Sequence, residues 1–177
     1  MKTKRQEELV NAYLSQFGDE IKPLYSDIIL FLSELGYYPK KAGSSLSFVN
    51  AIHNKQIVKI GTRIKKNQAP LPIFLLRFSA CKDYSEKFAD IVSSAIIKHT
   101  KNNTYRLARC ITNECDLCKG ETESHIYMHT FPDGEIKTSC GVYAIEVPSI
   151  TADDVIEIKK LIKEQHEYLA EHEVNVY

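Results

Sequence analysis

The sequence predicts an α+β fold in a single domain spanning residues 1–177. It would be an antiparallel β-sheet packed with an N-terminal helix pair, one middle helix and a long C-terminal helix, with a cysteine-rich knuckle insertion at 110–141. Three observations carry this expectation. Apolar residues recur at helical spacing near both ends and once in the middle. Between these stretches lie short apolar runs bounded by turn residues, the length of strands. Apolar residues make up 44% of the chain against 26% charged, which is enough material for a core and excludes a disordered chain.

In chain order, Leu9, Val10, Tyr13, Leu14 and Phe17 fall on one helical face, and Gly18 follows as a stop. A second helix begins near Pro23, carries Leu24, Ile28, Ile29, Leu32 and Leu35, and ends at Gly36. Residues 37–45 read as a loop, from Pro39, Gly43 and two serines. Strands follow at Leu46 to Val49 and Gln56 to Ile64, and the apolar run Ile73 to Phe78 reads as the central strand. Ser85, or Asp83 with Glu86, caps a helix bearing Phe88, Ile91, Val92, Ala95 and Ile96. A strand at Tyr105 to Cys110 leads into the cysteines. Strands Ser124 to Phe131 and Glu135 to Val147 flank the hairpin signal Pro132-Asp133-Gly134. Thr151 caps the last helix, with Asp153 and Asp154 in its first turn and Val155, Ile158, Leu161, Ile162, Tyr168 and Leu169 as its buried stripe.

Lysine plus arginine number 23, as do aspartate plus glutamate, so the net charge is zero. That argues against a binder held by phosphate charge over its whole surface. A local basic stripe remains: Lys55, Lys59, Arg63 and Lys65 share one face of a strand at alternating positions. It suits a nucleic-acid partner; the plainer reading, a solvated sheet face or a charged edge that discourages aggregation, is preferred. The N-terminus is polar, without the apolar core of a signal peptide, and no run of about 18 apolar residues occurs. The expected location is the cytoplasm, with no membrane partner. Thiols stay reduced there, so clustered cysteines read as metal ligands before disulfides.

Four of the five cysteines, Cys110, Cys115, Cys118 and Cys140, follow a C-x4-C-x2-C-x21-C spacing. A short C-x2-C turn aims two sulfurs at one ion, and a cysteine followed by glycine on a hairpin strand supplies another ligand. A two-residue turn at Asp133-Gly134 would set Tyr127 opposite Cys140, with His125 and His129 on the face of Cys140 as substitute ligands. This segment resembles a zinc-ribbon or zinc-knuckle site, and the resemblance implies a structural Zn2+ without an open position for chemistry. The x4-then-x2 spacing also resembles the start of a plant-type ferredoxin motif, which would imply an iron–sulfur cluster. Reduced cysteines without metal are the plain alternative.

Three functions fit these residues. The first is a non-catalytic domain that binds a protein or small-molecule partner and is stabilised by the zinc site. The second is a nucleic-acid adaptor using the basic strand. The third is a small metal- or thiol-dependent enzyme using an open metal site or Cys81, which stands at a strand-to-helix junction.

Overall fold

The structure is a computed structural model that describes residues 3–64, 70–102 and 126–172. Among the described residues it holds four helices and two antiparallel sheets. The helices are α1 (Lys4–Leu14), α2 (Lys22–Glu34), α3 (Glu86–Asn102) and α4 (Ala152–His172). The large sheet has five strands in the order β1-β2-β3-β4-β7: β1 (Tyr37–Ala42), β2 (Ser45–Asn50), β3 (Gln56–Arg63), β4 (Leu71–Leu76) and β7 (Ile145–Val147). A two-stranded sheet pairs β5 (Tyr127–Thr130) with β6 (Ile136–Ser139). The α+β expectation is therefore what the chain forms. No described helix is long and apolar enough to cross a membrane.

One face of the large sheet carries the core. Leu46, Phe48, Val58, Ile60, Phe74, Leu76, Ile145 and Val147 are buried there, as the period of two along each strand requires. Helices α1, α2 and α4 contribute to the same cluster through Val10, Leu14, Ile28, Leu32, Ile158 and Ile162. An aromatic ladder ties α1 and α2 to the sheet, Tyr13 to Phe17 to Tyr25 to Phe74, with ring centroids 5.5, 5.8 and 5.9 Å apart. The first and last of these contacts are edge-to-face, which adds directional preference to plain burial. The opposite face carries Lys59, Arg63, Ile73, Leu75 and Glu146, all half-buried or exposed.

Most helix signals hold, although α1 ends at Leu14, short of the expected stop at Gly18. Thr3 and Gln6 form a reciprocal capping box on α1. Pro23 lies in the first turn of α2. Ser85 Oγ accepts from the Phe88 N–H at 3.5 Å, so Ser85 is the cap of α3. Asp83 instead takes a hydrogen bond from Lys160 on α4. At the start of α4, Asp154 accepts from both the N–H and the hydroxyl of Thr151, at 2.7 and 2.8 Å. It also accepts from Lys87 of α3. Burial works to raise the Asp154 carboxyl, but these donors hold it below its ordinary value.

Four expectations need correction. Residues 37–42 form β1 and not a loop. Pro39 is tolerated there because β1 is an edge strand, and the turn at Gly43 (φ +62°) joins Ala42 to Ser45. The central strand is β3, with β4 one place nearer the edge. The long strand expected over 135–147 is two strands, because the chain bends at 140–144 and β7 leaves the hairpin to join the large sheet. The hairpin turn also has three residues rather than two. Phe131 N donates to Glu135 O, Gly134 takes φ +83°, and Tyr127 pairs with Ser139. This is the type I turn plus left-handed residue that three-residue hairpins favour. The strand expected at 105–110 lies outside the described residues.

Candidate functional site

The hairpin turn decides what the cysteine segment can do. A slip of one residue flips the pleat. His129 pairs with Lys137, on the face of Tyr127 and Ser139. Cys140, one step past Ser139, turns the other way and packs in a small buried cluster with Ile126. His129 therefore does not share a face with Cys140; its ring stacks edge-on against Phe131 at 4.7 Å. Of the expected ligands, Cys110, Cys115 and Cys118, and the alternative His125, lie outside the described residues. Among the described residues, no group of three His, Cys, Asp or Glu side chains is arranged to hold a metal. Cys140 itself fits thiolate ligation in chemistry and in rigidity, since its surroundings are pinned from two sides.

Those pins come from the end of β4. Arg77 is buried, and its Nε donates to the Gly141 carbonyl at 2.8 Å, while Ser79 Oγ donates to the same oxygen at 3.0 Å. The Tyr127 hydroxyl accepts from Phe78 N–H at 3.0 Å and donates to the Tyr143 carbonyl at 3.1 Å. Burial pushes the Tyr127 phenol up, so it remains a neutral donor. A buried charge with its hydrogen bonds made fixes the backbone around it. Here that backbone is the bend at 140–144, so the residues that orient Cys140 also set the course of β7.

Past this bend the chain forms one wall of a cleft. Its volume is about 590 Å³, within the range of small-ligand sites. Leu75, Ala144 and Ile145 line one side, and Ile91, Ser94 and Ala95 of α3 line the other. Lys87, Asp90, Lys98, Glu146 and Pro148 stand around it. Lys87 is paired with Asp154. Glu146 accepts two hydrogen bonds from Arg63 Nη2, each at 3.0 Å. Asp90 and Lys98 have no ion-pair partner among the described residues. Of the apolar residues expected on α3, Phe88, Val92 and Ile96 are buried, whereas Ile91 and Ala95 pack against the core but are only half-buried.

The expected basic stripe is partly assembled. Lys59 and Arg63 do share the face of β3 that looks away from the core. Arg63, however, is engaged by Glu146. Lys55 precedes β3, and its N–H donates to His53 Nδ1 at 3.2 Å, which places it in a turn. Lys65 lies outside the described residues.

Two other clusters carry reactive side chains. Cys81 is buried, its thiol donates to the Leu161 carbonyl at 3.3 Å, and burial pushes its pKa up. A nucleophilic thiol needs the opposite shift. Near β1, the Tyr37 hydroxyl lies 3.4 Å from His53 Nε2 and 3.3 Å from His166 Nδ1. Because His53 Nδ1 accepts from Lys55, the neutral ring carries its proton on Nε2 and donates to Tyr37; Tyr37 then donates to His166. Tyr37 is fully buried, so this chain of hydrogen bonds locks β1 to α4.

The fold and the cleft together define an α+β protein with a helix-walled groove along one sheet edge. The chain matches no family model, and no curated protein or solved structure matches it significantly.

Proposed function

We propose that this chain is a cytoplasmic, non-catalytic binding domain whose ligand occupies the cleft between α3 and β7. In this reading a structural Zn2+ held by Cys110, Cys115, Cys118 and Cys140 steadies the hairpin beside that cleft. The observation that carries it is the cleft itself: an apolar floor of Leu75, Ile91, Ala95 and Ile145 with the charges of Asp90 and Lys98 at its margin. Apolar surface supplies affinity and a few placed polar groups supply orientation. The raised pKa of Cys81 supports binding over thiol catalysis.

A direct test uses 15N-labelled full-length chain titrated with phenylacetate, a small aromatic anion. The expected result is shifts confined to Ala95, Lys98, Ala144 and Glu146, abolished by Ala95→Trp, which fills the cleft. Shifts spread over the surface, or unchanged by Ala95→Trp, would sink the reading. A nucleic-acid adaptor is the second reading, favoured by Lys59 and Arg63 on one outward face. It requires binding to single-stranded RNA that weakens steeply with salt.

A further inference from the structure

Resting on that cleft reading and deepening it, we propose that the cleft takes an extended peptide. The peptide adds antiparallel to β7 as a new edge strand of the five-stranded sheet. Its main chain pairs with Glu146, and it carries a basic and an acidic side chain four positions apart with an apolar residue between them.

The main-chain argument comes from hydrogen-bond alternation. Arg77 N donates to Ile57 O at 2.8 Å, so Arg77 turns its backbone groups toward β3. Successive residues of a strand point their N–H and C=O groups to opposite sides. Phe74 and Leu76 therefore turn toward β7, where their partners are Val147 and Ile145. Glu146, between those two, turns its N–H and C=O away from the sheet. Neither group meets a partner among the described residues. A strand edge with a free donor and acceptor is a template for another extended chain. The pairing of Ile145 and Val147 with β4 on either side fixes the direction in which these backbone groups point.

The dimensions and charges then select the occupant. Residues Lys87 to Lys98 of α3 run about 16 Å along the cleft, the length of about five extended residues. Asp90 and Lys98 lie about 12 Å apart on the helix. Positions i and i+4 of a strand are about 13 Å apart on one face, so a basic residue can meet Asp90 while an acidic one meets Lys98. The residue between them on that face meets Ile91 and Ala95. In an antiparallel pair, directly opposed side chains share a face, so this middle residue is the one opposite Glu146.

The probes are two capped pentapeptides, Lys-Thr-Val-Thr-Glu and Glu-Thr-Val-Thr-Lys, titrated calorimetrically into the full chain. Amide exchange at Glu146 is followed in parallel. One of the two orders should bind, slowing an amide that exchanges freely in the unliganded chain. N-methylation of the central valine should weaken that binding by about tenfold or more. Lys98→Glu, a surface change, should weaken it severalfold. If phenylacetate shifts the cleft residues but neither peptide binds, the cleft stands and strand addition falls. Equal binding of the N-methylated peptide would also overturn it. So would a Glu146 amide already protected in the free chain, which would mean that the edge is already covered, by a second copy where sedimentation finds a dimer.

Discussion

At one edge of the large sheet β1 turns Tyr37, Pro39 and Lys41 outward; at the other β7 turns Glu146 outward. The first assignment follows from Ala51 N donating to Gly36 O, in register with the β1–β2 ladder, so that even-numbered residues of β1 face β2. Proline removes the middle donor from the outward row, and Lys40 and Lys41 place exposed charge beside it. These are familiar devices against edge-to-edge pairing. The β7 edge is shorter, with Pro148 at the next outward position; between Ala144 and Pro148 it is Glu146 that presents a donor and an acceptor beside the cleft walled by α3. The anchors differ as well. A neutral chain of hydrogen bonds through Tyr37, His53 and His166 holds β1, whereas a permanently charged arginine holds the bend before β7. One edge is closed by its own residues; at the other, the Glu146 backbone groups meet no partner among the described residues.

The contrast can be broken most forcefully through the proposed metal. Structural zinc can supply on the order of 10 kcal/mol of folding free energy. Chelation of chain purified under reducing conditions should therefore release about one zinc and speed amide exchange through β5, β6 and β7 while sparing β1. Chain that carries no zinc by elemental analysis removes the metal from the account, and iron with a visible band replaces it with a cluster. Next in size is Arg77→Met. It strips a charged hydrogen bond from the Gly141 carbonyl, and urea unfolding should register a loss of about 2–3 kcal/mol. The amides of Ile145 and Val147, which pair with β4, should be affected more than those of β1; a uniform loss across both edges would mean that Arg77 does not specifically hold β7.

A smaller effect should appear with acid, at the other edge. Burial lowers the pKa of His166 below its ordinary 6.5, against the pull of nearby Glu167. The unfolded ring therefore takes up a proton first. Stability from this group is complete above pH 6.5 and declines as the pH falls from there through the folded value. His166→Gln keeps an acceptor for Tyr37 but does not titrate, so it should flatten this part of the pH–stability profile. An unchanged profile would remove His166 as its source. The smallest expected change in stability is that of Pro39→Thr, which restores a donor to the β1 edge. Its consequence should be self-association on raising concentration, seen by sedimentation. A variant that stays monomeric would mean that the lysines alone close this edge.

The helices were legible because their signals are local. Periodic apolar residues, Thr151 with Asp154, and Ser85 all act within a few positions of the structure they specify. β1 was not legible, since Pro39, Gly43 and the serines also describe a loop; a strand containing proline is recognisable only once it is known to lie at an edge. The hairpin was visible in Pro132-Asp133-Gly134, but its register was not. Whether Pro132 belongs to the turn depends on the pairing around it, and that one residue decides whether Cys140 and His129 meet. The cleft was hidden for another reason. Its walls, α3 and β7, are separated in sequence by the hairpin, and the half-burial of Ile91 and Ala95 depends on where β7 comes to rest.

The sequence by itself determined a chain of balanced charge, its helices and their caps, and an antiparallel sheet with an apolar face, because propensity, capping and periodicity are properties of neighbouring residues. Only the tertiary structure decided that the chain bends at Gly141, that β7 crosses to the large sheet, and that Glu146 faces outward beside α3. Each of these rests on a contact such as Arg77 with Gly141, between residues far apart in the chain, and no local pattern encodes which distant carbonyl a buried arginine will find.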